Sequence, residues 1–181
     1  MRNTKKLTLS AMTASLSSVI LLLSSFLVMM ELTVGAVASL LVVFINIEVK
    51  GAYPYLVWAV TSTISLLLFP SKTIGVAYLL VFGIYPILKA YFERLPRPVW
   101  WVVKLAYFTV VLVLMILVTE FVLGVSFFEE VPNTSSILQL WMKVGIIALF
   151  YIAFVAYDMF ITVMIRLYFL KFRDKFKRLF R

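Results

Sequence analysis

Residues 7–27 read LTLSAMTASLSSVILLLSSFL, an uncharged apolar stretch that is long enough to cross a membrane as one helix. The first half of this stretch is rich in small residues, and side chains spaced by four residues share one side of a helix. The small residues that form or flank this side are Ser10, Ala11, Ala14, Ser15 and Ser18. Such a side allows another helix to approach closely, and that helix belongs either to the same bundle or to a separate membrane subunit.

The composition is that of an integral membrane protein. Hydrophobic residues make up 64% of the 181 residues, charged residues only 14%, and the mean hydropathy is +1.09. A soluble globule of this size cannot hide so much apolar surface from water. Arg2, Lys5 and Lys6 precede the first helix as in a signal peptide, but no small-residue cleavage site precedes Glu31, so we expect this helix to be retained.

The chain contains no Cys and no His, which removes disulfides, thiol nucleophiles, imidazole bases and the usual zinc and haem ligands. Most familiar catalytic constellations are therefore unavailable, and we expect no bound metal or other cofactor. The net charge of +9 would suggest nucleic acid as the partner of a soluble protein. Here the Lys and Arg residues lie beside apolar spans, where membrane lipids account for them.

Segments of about 20 mostly apolar residues are needed to cross a hydrocarbon core of about 30 Å. Six segments qualify, so we predict an all-α integral membrane bundle of six transmembrane helices. They cover residues 7–27, 32–47, 52–69, 73–92, 99–122 and 144–165, with a polar loop over residues 124–136. Residues 1–165 thus form the transmembrane domain, and residues 166–181 form a basic amphipathic cytoplasmic tail.

The distribution of positive charge predicts the orientation of the bundle. With the amino terminus inside, every Lys and Arg except Lys72 and Lys143 lies on the cytoplasmic side. Both termini are then cytoplasmic, residues 131–135 are outside, and the chain is a multi-pass protein of the cell membrane. We also expect a tight hairpin at Gly51 and a kink at Pro86, which lies well inside the fourth span.

The predicted tail combines aromatic and basic residues. Phe169, Phe172, Phe176 and Phe180 fall on one helical side among Lys and Arg side chains. Such a helix is expected to lie on the anionic inner leaflet, each nearby cation contributing about 1 kcal/mol. Binding of a protein partner is the alternative.

Lys89, Lys104 and Asp158 fall at membrane depth, where an ionisable side chain costs roughly 2.5 to 3.5 kcal/mol on insertion scales. At a rise of about 1.5 Å per residue, Lys104 and Asp158 lie at matching depth, about 10 Å inside the inner boundary. We predict a buried ion pair between Lys104 and Asp158 that sets the register of the last two helices. A proton or ion relay is the alternative, but the outer halves of the first two helices offer no continuous polar path.

Polar and aromatic residues also collect near the outer ends of the spans. A few polar groups in an apolar aromatic hollow are typical of a small-molecule site. The candidate substrate-binding residues are Tyr78, Phe82, Met115, Thr119, Glu120, Gln139, Trp141 and Lys143. A solvated rim is the alternative interpretation, since loops are where polar residues belong.

The six spans, the cytoplasmic termini, the length of 181 residues and the pairs Ala11-x-x-x-Ser15 and Ala14-x-x-x-Ser18 together resemble the substrate-binding S components of energy-coupling factor (ECF) transporters. The family typically has A-x-x-x-A in its first helix, and this chain has Ser at the second position. FGIYPILKAYFERL (residues 82–95) and VAYDMFITVMIRLYFLKF (residues 155–172) are similar to a bacterial branch with this architecture. They match no vitamin-specific signature, so the substrate stays open.

The resemblance implies a protein that is not an enzyme and that captures a vitamin or similar micronutrient on the outer side. The small side of the first helix, with Ser10, Ala11, Ala14, Ser15 and Ser18, would dock on a membrane coupling subunit. Energy would come from the ATPases of that subunit, because this chain has no phosphate-binding loop of its own. Small six-span proteins of the rod-shape-determining kind have a similar outline, so a scaffold for cell-envelope assembly is the alternative function.

Overall fold

The computed structural model describes residues 3–24, 30–49, 51–70, 72–122, 124 and 136–172, and these residues are almost all helical. The α-helices are α1 (Asn3–Ser24), α2 (Glu31–Glu48), α3 (Tyr53–Leu68), α4 (Lys72–Ala77), α5 (Tyr85–Phe92), α6 (Arg97–Leu117) and α7 (Ser136–Leu167). Wider π-helical turns continue α4, α6 and α7 over Tyr78–Phe82, Val118–Val122 and Tyr168–Phe172. No strand occurs in the described ranges, so the predicted all-α class is confirmed.

Five helical segments in the described part of the chain are long and apolar enough to cross a membrane, so this is a multi-pass membrane protein. They are Asn3–Ser24, Glu31–Glu48, Lys72–Phe92, Pro98–Val122 and Ile137–Lys171. The predicted third span is shorter, because α3 has 16 residues. Such a helix rises about 24 Å, less than the roughly 30 Å of a hydrocarbon core. The predicted count of six spans therefore depends on α3.

The turn between α2 and α3 is as tight as the sequence predicts. Gly51 has a φ of 71°, a left-handed conformation that costs other residues more than glycine. Pro54 lies in the first turn of α3, where its missing N–H removes no helical hydrogen bond. The chain can therefore reverse between these two helices within a few residues.

The small side of α1 lies inside the bundle, where α1 packs against α2 and α3. Ser10, Ala14 and Ser18 are buried, and the Thr61 hydroxyl of α3 donates to the Ala14 carbonyl oxygen at 3.4 Å. The hydroxyls of Ser10 and Ser18 donate to carbonyl oxygens one turn earlier in α1. Both hydroxyls are therefore hydrogen-bonded although their surroundings are apolar. This row of small residues therefore serves packing of α1 against α2 and α3.

Two other residues of the predicted docking face have a different environment. Ala11 and Ser15 are exposed, at the edge of the buried row. The face assigned to docking is thus divided, with its central row inside the bundle and these two residues outside. The division arises because α1 turns its smallest side chains toward the helices that it approaches most closely.

The fourth span is interrupted near its middle. The Gly83 N–H donates to the Tyr78 carbonyl oxygen five residues earlier, at 2.7 Å, and regular helix begins again only at Tyr85. Pro86 lies in the first turn of α5, where it has no N–H to donate to the Phe82 carbonyl. A wide turn and a short break thus precede Pro86, in place of the simple kink expected at the proline itself.

The last helix crosses the predicted boundary between transmembrane domain and tail. α7 continues through Ile165 and Arg166 without a break and is followed by the π-helical turn. The Tyr168 hydroxyl donates to Glu48 Oε1 at 2.7 Å, which joins this end of α7 to the end of α2. Residues 173–181, which hold most of the predicted tail, and loop residues 125–135 lie outside the described residues.

Candidate functional site

Asp158 of α7 lies at the centre of a buried charged cluster. The residue is 4% exposed, and Lys104 of α6 is 1% exposed. Lys104 Nζ lies 3.0 Å from each carboxylate oxygen of Asp158. The two residues that the sequence assigns to the same depth are therefore in direct contact, and their ion pair joins α6 to α7.

Lys89 of α5 also belongs to the charged cluster, although the sequence prediction gave it no partner. Its ammonium group pairs with Asp158 Oδ1 and donates to the Asp158 backbone carbonyl at 3.2 Å. Glu93, one turn later in the chain, lies 3.0 Å from Lys89 Nζ and 3.3 Å from Lys104 Nζ. The spacing of Lys89 and Glu93 by four residues is the sequence signal for this part of the cluster.

The charges in the cluster balance, because two ammonium groups face two carboxylates. The Tyr85 hydroxyl also donates to Asp158 Oδ1 at 2.5 Å, and Lys104 Nζ lies 4.1 Å from the centroid of the Trp100 ring. Glu93 is the member nearest to solvent, with 35% of its side chain exposed. The cluster therefore holds α5, α6 and α7 together without leaving a net charge in the apolar interior.

Aromatic side chains of other helices bind the backbone carbonyls that the break in the fourth span frees. Trp58 Nε1 donates to the Leu79 carbonyl at 2.9 Å, the Tyr107 hydroxyl to Leu80 at 2.6 Å, and the Tyr157 hydroxyl to Phe82 at 3.4 Å. In an uninterrupted α-helix the N–H groups four residues later would bind these carbonyls, and one of those positions is Pro86. The break is thus held from α3, α6 and α7 at once.

An apolar pocket of about 420 Å³ lies beside this break, between α2, the fourth span, α6 and α7. Pockets of roughly 300 to 1,000 Å³ are typical of small-molecule sites. Its aromatic wall consists of Phe82, Phe108, Phe150, Phe154, Tyr157 and Phe160, and the small residues Ala36, Ala77, Ala153 and Ala156 leave the space between the rings. Leu32 and Thr33, in the first turn of α2, line one end.

Two of the predicted substrate-binding residues, Phe82 and Met115, line the apolar pocket. Of the others, Tyr78 and Thr119 are buried outside its lining, Gln139 and Lys143 are half-buried, and Glu120 and Trp141 are exposed. The pocket lies deeper than the polar rim from which these residues were chosen. Its space depends on alanines of α2, α4 and α7, and an alanine within an apolar span carries no signal of a pocket.

A second pocket, of about 390 Å³, adjoins the charged cluster at the end where α5 stops and α6 begins. It is lined by Glu93, Leu95, Trp100, Thr162, Ile165 and Arg166. The indole N–H of Trp100 is buried and has no hydrogen-bond partner among the residues that the structure describes. Glu93 is therefore the group through which the charged cluster reaches this more polar pocket.

Aromatic rings lie between the charged cluster and the apolar pocket. The Tyr85 ring contacts those of Tyr107, Phe154 and Tyr157, with centroids 5.8, 4.9 and 5.8 Å away. The hydroxyls of Tyr107 and Tyr157 bind backbone carbonyls, so they offer no chain of exchangeable partners across the bundle. Within the described residues the cluster is thus better suited to fixing helix register than to relaying protons.

The features on which a function can be argued are the apolar pocket, the charged cluster and the exposed edge of α1. In the part of the chain that the structure describes, no group of Asp and Glu residues is arranged to hold a metal ion. Comparison of the chain with known protein families, characterised proteins and solved structures finds no match.

Proposed function

We propose that this chain is the membrane-embedded substrate-binding subunit of an ECF-type uptake transporter, with six transmembrane helices and both termini in the cytoplasm. The observation that carries the proposal is the apolar pocket of about 420 Å³ formed between four parts of the bundle. A preformed pocket of this kind is what a small-molecule subunit needs, whereas a scaffold for other proteins gains nothing from it.

The proposed orientation gives the two ends of the bundle different roles. Leu32 and Thr33 follow the first span, so in a chain with a cytoplasmic amino terminus they lie on the outer side, and they line the apolar pocket. The charged cluster and the second pocket lie toward the inner side, where most Lys and Arg residues are found. A vitamin or similar micronutrient would therefore enter from outside, while the inner ends of α5, α6 and α7 stay fastened to one another.

Docking on the coupling subunit would use the exposed side of α1. Ala11 and Ser15 are exposed there, and the neighbouring Met12, Leu16 and Val19 are exposed apolar side chains. The buried row of Ser10, Ala14 and Ser18 contributes indirectly, because it lets α1 lie close against α2 and α3. The ATPases attached to the coupling subunit would supply the energy for uptake.

Affinity purification of the full chain from its native membrane tests this function. We expect a membrane coupling subunit and its ATPases to co-purify, and native mass spectrometry to detect a small molecule retained by the chain. Co-purification of cell-wall synthesis proteins without ATPases would overturn the proposal in favour of the scaffold function.

Ser15→Trp provides a matched test of docking. Because Ser15 is exposed, the isolated variant should unfold at the same temperature as the parent chain, yet lose the coupling subunit and uptake. Val110→Trp, at an exposed apolar residue of α6 and so outside this side of α1, should keep both. Ala14→Trp overpacks the buried row and should cost about 1 to 3 kcal/mol of stability. A Ser15→Trp chain that still assembles and supports uptake would remove the docking assignment.

A further inference from the structure

We infer that the apolar pocket selects an electrically neutral, largely apolar molecule whose polar group, if it has one, is confined to the end that faces Thr33. This inference rests on the proposed function, in which the pocket holds the substrate. It goes further because it excludes charged micronutrients as ligands. The evidence is the chemistry of the lining and the state of the nearest ionic groups.

The lining offers almost nothing to a charged or strongly polar ligand. Apart from backbone groups, its polar atoms are the hydroxyls of Thr33 and Tyr157. The Tyr157 hydroxyl already donates to the Phe82 carbonyl at 3.4 Å. A ligand charge buried in this pocket would lose its hydration without gaining a partner, which is a severe penalty. An apolar body, by contrast, gains from every ring that it covers.

Asp158 cannot serve as a counter-ion for a bound cation, although it follows Tyr157 directly in the chain. Its carboxylate oxygens are taken by Tyr85, Lys89 and Lys104. The rings of Tyr85 and Phe154, whose centroids are 4.9 Å apart, lie between the cluster and the pocket. The ionic part of the molecule is thus neutralised and screened from the ligand.

The rings of the aromatic wall are held by close packing against one another and against α2. Gly35 of α2 lies against Phe82, where an added Cβ would come within 2.7 Å of the ring. Phe82 packs edge-on against Tyr157 at 5.2 Å between centroids, and Phe108 stacks on Phe154 at 4.3 Å. Rings held in this way cannot easily turn aside to admit water around a charged group.

Three naphthalene derivatives that differ in charge test the inference: 2-naphthaleneethanol, 2-naphthylacetate and the (2-naphthylmethyl)trimethylammonium ion. Binding to the full chain in detergent micelles is measured by equilibrium dialysis against micelles alone. We expect one neutral molecule per chain, bound at least about tenfold more tightly than either ion. Ions that bind as tightly as the alcohol at this pocket would overturn the neutral class and leave the transport function standing. A preference for the cation alone would identify an aromatic cage instead.

Ala153→Phe shows whether the binding occurs in this pocket. Ala153 is an exposed residue of α7 that lines the pocket, so the added ring should fill it without overpacking the core. Ala148→Phe, exposed on the same helix outside the lining, is the control. Binding of the alcohol should fall at least about tenfold in the first variant and stay unchanged in the second.

Equal binding in both variants, or none in the parent chain, would overturn the inference, whereas loss of the coupling subunit alone would not affect it. If Ala153→Phe fails to fold, Ala156→Phe on the same lining replaces it.

Discussion

Asp158 is held by Tyr85, Lys89 and Lys104 in a part of the chain where an isolated carboxylate would be expensive to bury. Its depth could be read from the sequence, because position along an apolar helix measures distance from the membrane boundary. The sequence also predicts its pairing with Lys104, because the two residues lie at the same depth in neighbouring spans. Depth alone does not predict that Lys89 and Glu93 complete the cluster, because their contacts depend on how α5 is rotated toward α7.

Replacing Asp158 by Asn should be strongly destabilising, because Glu93 alone would then face two buried ammonium groups. We expect a loss of about 3 to 5 kcal/mol, measured by thermal unfolding of the purified chain. Asp158→Asn combined with Lys104→Met leaves the Lys89–Glu93 pair balanced and should recover part of this loss. Glu93→Gln, at the solvent side of the cluster, should cost less than Asp158→Asn. Strictly additive losses in the double variant would contradict the ion pair, and a stable but inactive Asp158→Asn chain would favour a relay.

At the scale of single elements, the interrupted fourth span is the feature that organises its neighbours. Its break lies between the charged cluster and the apolar pocket, and side chains from α3, α6 and α7 bind its freed carbonyls. Pro86 predicted an irregularity here, because a proline cannot donate to the preceding turn. The break also requires a residue without a side chain at Gly83, because Trp58 of α3 lies directly against this position.

Gly83→Ala should therefore disturb the break itself. An added Cβ would lie 2.5 Å from Trp58 Cδ1 and 2.9 Å from Tyr78 Cε1, so the indole that donates to the Leu79 carbonyl must move. We expect a loss of about 1 to 3 kcal/mol in thermal unfolding. Gly145→Ala is the matched control in α7, where nothing lies within 4 Å of the new Cβ. That change should leave stability the same or raise it by about 0.5 to 1 kcal/mol. Equal behaviour of the two variants would show that the contact with Trp58 does not matter.

For the whole molecule, the orientation depends on α3, because a crossing by this helix brings both termini to one side of the membrane. The helix has 16 residues, fewer than a typical span, but it packs along both α1 and α2. The positive-charge distribution also favours a crossing, since without one Arg94 and the basic residues after Ile165 would lie on the outer side. These two arguments favour six spans.

Single introduced cysteines can test this orientation cleanly, because the chain has no cysteine of its own. Pro70 and Leu95 are exposed residues just before α4 and just before α6. In intact cells a membrane-impermeant maleimide should label Pro70→Cys, whereas Leu95→Cys should react only after the membrane is permeabilised. Labelling of both, or the reverse pattern, would contradict the orientation on which the outer position of the apolar pocket depends.

Position along the membrane normal can be predicted from the amino-acid sequence alone. Hydropathy, span length, the glycine turn at Gly51 and the common depth of Lys104 and Asp158 are all properties of the chain read in order. They sufficed for an all-α membrane bundle and for one ion pair. They hold because every backbone polar group in a lipid-facing segment must be satisfied locally, which leaves little choice but helix.

The rotation of each helix about its own axis, by contrast, is seen only in the folded bundle. A span that is apolar all round shows no hydrophobic face, because lipid and protein interior are equally apolar, and so rotation is set by packing against neighbouring helices. This is why the row of Ser10, Ala14 and Ser18 could be assigned to a partner from the sequence and yet lies inside the bundle. For the same reason most of the expected substrate residues lie outside the pocket, whose space is defined by alanines and aromatic rings from separate parts of the chain.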